Sequence, residues 1–186
     1  MSFRTEEKFY TDSDKYIDLK SFLILKNGKQ QYSKRLISSI YFDNHKFDSF
    51  TDSQEGSVMR KKMRIRNYPK SKDMTNKNLL ECKISSIEGR YKTSSILSDT
   101  EYNKLLNYGF FDTLYGICMP IVVVTYFREY FVFKNGLRAT LDRKIEYYKY
   151  KEPIKKIKNN QIVLEIKNSN QVCSNIIINQ FPFIKN

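Results

Sequence analysis

The residues of this 186-residue chain that can do chemistry are charged, and they recur at every second position. Arg4, Glu6 and Lys8 are spaced this way, as are Lys62, Arg64 and Arg66, Glu81 and Lys83, Arg90 and Lys92, Arg138, Thr140 and Asp142, and Glu165 and Lys167. On a β-strand, positions i and i+2 share a face. The intervening positions are apolar and require burial: Phe3 and Phe9, Met63 and Ile65, Leu80 and Cys82, Leu137, Ala139 and Leu141, Leu164 and Ile166. One half-buried strand of this kind simply turns its charges to water. Repetition over at least five strands, with acids and bases mixed, points instead to a sheet closed into a barrel whose charged faces line a water-filled lumen. About eight strands enclose one small ligand. Arginine forks and lysine ammoniums there neutralise phosphate oxygens, while carboxylates hold magnesium or manganese. Arg64 and Arg66 repel one another on their shared face and gain only when an anion bridges them.

The overall balance agrees. Lys and Arg total 33 against 20 Asp and Glu, a net charge of +13, which calls for a polyanionic partner: a phosphate-rich molecule first, then nucleic acid or an anionic membrane surface. A hydrophobic share of 40% and an aromatic share of 15% exclude a disordered chain. No apolar run approaches the ~20 residues that span a bilayer, and residues 1–10 lack the apolar core of a signal peptide, so a cytoplasmic location is expected. Cys82, Cys118 and Cys173 are odd in number and form no CxxC pair, which argues against a disulfide framework or a zinc site and reads as buried or incidental thiols. His45 is the only histidine; it excludes histidine-rich metal sites and is assigned no role.

Eight strands are needed to position these residues, and eight β-rich stretches occur, at 3–10, 35–42, 59–68, 79–84, 90–96, 121–133, 137–147 and 161–167. Helices are fewer. One spans 12–27 and closes on Gly28; another opens on a Ser98–Glu101 capping box, carries Tyr102, Leu105 and Leu106, and stops at Gly109; a weaker third covers 172–181. Polar stretches 69–78 and 149–160 read as loops within a single domain, 1–186. Between the strands at 121–133 and 137–147, a two-residue turn on Asn135-Gly136 would set Arg138 opposite Phe133. A three-residue loop with Gly136 in a left-handed bulge sets Asp142 opposite Arg128 and Thr140 opposite Tyr130, like with like, and is the expected register. The fold class is therefore mainly β with some α: a closed eight-stranded antiparallel barrel with a few covering helices.

These residues, in order, resemble the VTC-type polyphosphate polymerase domain, a branch of the triphosphate tunnel metalloenzymes related to the CYTH phosphatases and cyclases. The similar pieces are RTEEKF (4–9), SIYFDN (39–44), RKKMRIRNY (60–68), LECK (80–83), TYFREYF (125–131), LRATLDRKI (137–145) and LEIK (164–167), spread over nearly the whole chain. The resemblance implies an eight-stranded tunnel in which the γ-phosphate of ATP passes to a growing polyphosphate chain with Mn2+ or Mg2+. It implies that Lys8, Arg64, Arg66, Lys83, Lys92, Arg128 and Arg138 bind phosphate, joined by Lys62 and Lys167 on the same faces, with Tyr126 hydrogen-bonding it. Arg64, Arg66, Arg128 and Arg138 are expected to share one triphosphate. Lys83, Arg128 and Glu165 would be catalytic, and Glu165 would bind the metal with Glu6 and Glu81 in support. Family members continue past LEIK to a Ser-Lys-aromatic strand, so the C-terminal end looks shortened, with Lys185 the candidate replacement for that lysine. The phosphate-sensing SPX domain and membrane helices of the eukaryotic complexes are not in this sequence, which leaves a membrane-protein partner open. Attack by water instead of phosphate would make the same site a tripolyphosphatase or nucleoside triphosphatase. A non-catalytic binder of polyphosphate or of single-stranded nucleic acid is the other alternative; nucleic acid is disfavoured because carboxylates on basic faces repel phosphate unless a metal lies between them.

Overall fold

The computed structural model describes residues 5–69, 77–134 and 136–168. In chain order the elements are β1 (Thr5–Asp12), a 3-10 turn (Ser13–Lys15), α1 (Tyr16–Leu25), β2 (Lys29–Asp43), α2 (Asp48–Glu55), β3 (Arg60–Asn67), β4 (Asn78–Ser86), β5 (Gly89–Leu97), α3 (Asp99–Tyr108), β6 (Phe110–Asp112), β7 (Gly116–Val132), β8 (Arg138–Lys149), β9 (Ile157–Asn159) and β10 (Gln161–Asn168). The protein is mainly β, with antiparallel pairing. All eight expected strands are present. The expected helix over 172–181, with Phe3, Arg4, Cys173 and Lys185, lies outside the described residues.

Closure is where the structure departs from expectation. Strands pair in the order β1-β10-β8-β7-β2-β3-β4-β5, with β6 on β7 and β9 on β8. A barrel requires two neighbours for every strand. Among the described residues β1 and β5 have one each along this path, so the sheet is antiparallel but open rather than a closed barrel.

The chain divides into two compact units. Of the described residues, the first contains 5–36, 126–134, 136–146 and 158–168. Here the apolar faces of β1, β8 and β10 contribute Phe9, Ala139, Leu141, Ile162, Leu164 and Ile166, and α1 covers them with Leu19 and Leu23. α1 is shorter than expected and ends as anticipated, with the Gly28 N–H donating to the Leu23 carbonyl at 2.9 Å. A Cβ on Gly28 would stand 2.6 Å from that carbonyl oxygen and 2.9 Å from the Phe133 ring, so the chain can turn here only on glycine. The loop after β7 has the expected three-residue form: Phe133 N–H donates to Leu137 O at 2.9 Å, and Gly136 has φ +79°. That register sets Arg128 across from Asp142.

The second unit contains Ile37–Thr125 and Tyr147–Ile157. Ile40, Phe42, Met63 and Ile65 form its buried face with Tyr115, Cys118 and Val123, and α3 packs Tyr102, Leu105 and Leu106 against it. The capping box of α3 is formed, with Glu101 N–H donating to Ser98 Oγ at 3.3 Å and Ser98 N–H to Glu101 Oε2 at 2.8 Å. α2 was not expected. It is held by a distant cap, the Asp43 carboxylate accepting from Ser49 N–H at 3.0 Å and Phe50 N–H at 2.9 Å. Cys82 and Cys118 are free thiols, and burial pushes Cys118 up to about 11, as expected of inert thiols. His45 is exposed. Among the described residues no helix is long and apolar enough to cross a membrane.

Candidate functional site

In each unit, one face of the sheet is covered by a helix and the other carries charges. In the second unit the strand registers align Tyr41, Arg64, Glu81 and Ser94 in one row across β2, β3, β4 and β5. Glu81, 3% exposed, is the centre of this row. Its Oε2 accepts from Arg64 Nε at 2.8 Å and lies 2.7 Å from Arg64 Nη2, with Arg66 Nη1 at 3.7 Å; its Oε1 accepts from Lys92 Nζ. Burial alone would raise the Glu81 pKa. The Lys92 hydrogen bond and the Arg64 and Arg66 charges outweigh it and hold the carboxyl down at about 2. Arg64 also donates from Nη1 to the Tyr41 hydroxyl at 2.8 Å, and Arg66, itself buried, from Nε to Ser39 Oγ at 3.4 Å.

The adjacent row has Lys62 opposite Lys83 and Lys83 opposite Lys92. All three are exposed. Like charges placed directly across strands repel unless an anion lies between them. In these two rows Glu81 is the one carboxylate among the described residues, beside Lys62, Arg64, Lys83 and Lys92.

In the first unit the rows are Lys8, Glu165 and Thr140, and beside them Glu6, Lys167 and Arg138. Glu165 is 5% exposed. Its Oε2 lies 3.4 Å from Lys167 Nζ, 3.4 Å from Thr140 Oγ1 and 3.8 Å from Arg128 Nη2. Burial raises its pKa, but the Glu6 hydrogen bond and the charges of Lys167, Arg128 and Lys8 hold it well below the usual carboxylate range. Arg128 is committed to Asp142 through two parallel bonds of 2.6 Å, Nε to Oδ1 and Nη2 to Oδ2, the fork geometry that fixes a guanidinium's plane. Its carbon centre lies 5.2 Å from the ring centroid of the buried Tyr126.

The donor chemistry distinguishes the carboxylates as metal ligands. Glu6 and Glu165 are neighbouring acids, lying 3.9 and 3.4 Å from the same Lys167 Nζ, and two carboxylates side by side suit a divalent cation. Hard oxygen donors suit magnesium or manganese, and magnesium is commonly held by one or two carboxylates together with substrate phosphates. Glu81, expected as a supporting ligand, does not fit, because both its oxygens already accept from cations. Among the described residues no group of three or more His, Cys, Asp or Glu side chains gathers as a metal site.

The structure thus brings Arg64, Arg66 and Lys92 around Glu81, and Arg128 and Lys167 around Glu165, with Glu6 and Lys8 on the neighbouring strand. Arg138 is exposed at the start of β8, opposite Lys167. Sequence reasoning named neither Tyr41 nor Asp142 as a site residue. Tyr41 shares its strand face with Ser39, and Asp142 follows Thr140 by two, so the i, i+2 rule that selected the cations reaches both.

The VTC domain family matches residues 3–181. The chain belongs to that family. Comparison with curated proteins gave no significant match. Among solved structures, a candidate adenylate cyclase from Bacillus halodurans superposes with a TM-score of 0.65 at 15% identity, covering 97% of this chain and 89% of that one. A protein from Pyrococcus horikoshii gives 0.55 at 16% identity, over 95% and 84%. A candidate adenylyl cyclase from Hippeastrum, described as having a dominant triphosphatase activity, gives 0.52 at 15% identity, over 95% and 85%. These likenesses establish the shared fold.

Proposed function

We propose that the protein is a metal-dependent phosphotransferase that takes the triphosphate of ATP as donor and extends inorganic polyphosphate. The observation that carries this reading is the Lys62–Lys83–Lys92 row beside buried Arg66 and Arg64. So many cations on one face of the sheet, with Glu81 the one carboxylate in these rows among the described residues, suit a chain of phosphates, and membership of the VTC family agrees. Lys62, Arg64, Arg66, Lys83 and Lys92 bind phosphate oxygens, as do Lys8, Arg128, Arg138 and Lys167, with Tyr126 supporting Arg128. Asp142 fixes the Arg128 fork so that its remaining N–H groups stay aimed without reorganisation. Glu165 and Glu6 would hold the Mn2+ or Mg2+, which supplies charge neutralisation on the transferring phosphate.

Phosphoryl transfer needs positioning and charge neutralisation more than a protein nucleophile. A terminal polyphosphate oxygen attacks the γ-phosphorus in line, the bond to the β-bridging oxygen breaks, and ADP leaves. Arg128, beside Glu165, stabilises the charge on the transferring group. A second reading, hydrolysis of triphosphate by water, draws support from the triphosphatase activity described for the Hippeastrum protein. One assay separates them: purified protein with ATP and manganese, polyphosphate and free phosphate being measured independently. Polyphosphate made in step with ADP supports the transferase; free phosphate alone overturns it in favour of the hydrolase.

A further inference from the structure

The loop joining β8 to β9 carries a surface that phosphate transfer does not use. Ile154 is 95% exposed and Ile157 71%. Lys149, Lys151, Lys155 and Lys156 surround them in sequence, all exposed, and Glu152 is the only acid between 149 and 157. Lys149 already engages Glu152, at 3.2 Å. Beside the loop, Tyr147, Tyr148 and Val122 line a cleft of about 560 Å³ together with Lys155 and Lys156.

Single exposed apolar residues are ordinary on a protein surface. Two isoleucines three positions apart, each standing almost wholly in water amid lysines, form a different pattern. Single-stranded RNA would use the lysines and the tyrosine rings but would leave both isoleucines in water, and the Lys156 ammonium already sits over the Tyr148 ring, 5.4 Å from its centroid, where a base would have to stack. An anionic lipid surface uses every part. Apolar side chains enter the boundary between head groups and acyl chains, lysines stay at the lipid phosphates, and tyrosines suit the interface.

We infer that this loop docks the protein on an anionic membrane surface, with Ile154 and Ile157 inserted and Lys151, Lys155 and Lys156 at the head groups. Co-sedimentation of the full chain with vesicles tests it, using phosphatidylcholine alone and phosphatidylcholine mixed with phosphatidylglycerol. Wild type should bind only the anionic vesicles, less strongly as salt rises. Ile154→Ser with Ile157→Ser, and separately Lys155→Gln with Lys156→Gln, should each weaken that binding by about tenfold or more, while tripolyphosphate affinity, unchanged in both, reports an intact fold. Arg66→Ala should leave vesicle binding unaltered. Wild-type protein that ignores anionic vesicles, an isoleucine double variant that binds them undiminished, or binding lost only in Arg66→Ala would each overturn the inference. Single-stranded RNA binding that disappears with the lysines and survives loss of the isoleucines, without vesicle binding, would assign the surface to nucleic acid instead.

Discussion

Glu81 and Glu165 are both nearly buried carboxylates set among cations, yet their surroundings differ in kind. Glu81 has no second acid beside it among the described residues and is gripped at 2.7–2.8 Å by Arg64 and also by Lys92. Glu165 has a second acid, Glu6, beside it, both near Lys167 Nζ, and among the described residues its cation and hydroxyl contacts are no shorter than 3.4 Å. The nearby basic group best able to grip it, Arg128, is turned to Asp142 instead. A carboxylate held tightly on both oxygens is a counter-charge. One held loosely beside another acid is available to a cation. The same alternation of residues thus yields two chemistries, decided by which strands meet.

The largest effect should follow removal of the counter-charge. Glu81→Ala removes the carboxylate that Arg64 and Arg66 share, and breaking a buried pair by removing one partner costs ~3–5 kcal/mol. Thermal or denaturant unfolding would measure it, and added tripolyphosphate should restore part of the lost stability. Acid should act through the same group. Because the folded-state pKa of Glu81 is about 2 against an ordinary 4.5, its contribution is complete above pH 4.5 and is lost as pH falls towards 2. A Glu81→Ala protein as stable as wild type at pH 7 would remove the distinction between the two carboxylates.

Glu165→Ala should behave in the opposite way, remaining folded and binding triphosphate while manganese-dependent transfer falls ~100-fold or more, the size of one lost electrostatic contact. Wild-type turnover in a folded Glu165→Ala protein would move the metal away from the Glu6–Glu165 pair.

How much of this could be read in the sequence depended on whether a residue's role is set along its own strand or across several. β3 was legible because Met63 and Ile65 alternate with Arg64 and Arg66, so the buried and charged faces declare themselves. The first part of β2, from Lys29 to Lys34, is exposed on both faces and has no period to show. α2 was missed for a related reason: only Ser49 of its residues is buried, and the cap that holds it, Asp43, precedes the helix by five residues. The charged faces of the candidate site were likewise legible at i, i+2. The division of labour between Glu81 and Glu165 was not, since it depends on Arg64 and Lys92 arriving from β3 and β5, and on Glu6 arriving from β1. Closure of the sheet was expected from the charges and from the family resemblance, and alternation fixes faces without fixing which edges pair.

A smaller effect should come from Arg66. Its guanidinium is 3.7 Å from Glu81, on the strand face it shares with Arg64 and Lys62. Arg66→Ala should weaken tripolyphosphate binding by ~1–3 kcal/mol, as for a charge-assisted hydrogen bond, with calorimetry as the measurement. Unchanged affinity would take phosphate binding off the β3 face.

The smallest effects distinguish the two carboxylates most finely, because they probe the neutral groups that support each site. Tyr41 accepts from Arg64 Nη1 at 2.8 Å, a full-strength bond to a charged donor, and it braces the arginine that grips Glu81. Thr140 donates to Glu165 Oε2 at 3.4 Å, near the limit at which such a contact still counts as a hydrogen bond. Tyr41→Phe should therefore cost about 1 kcal/mol or somewhat more in unfolding free energy. Thr140→Val, nearly the same shape without the hydroxyl, should cost less than ~1 kcal/mol and should leave the manganese concentration for half-maximal activity within about twofold of wild type. Chemical denaturation of both variants side by side, with a manganese titration of the second, makes the comparison directly. If Thr140→Val proved the more damaging of the two, Glu165 would be as firmly held as Glu81, and its looseness could no longer explain why it is the carboxylate open to a metal.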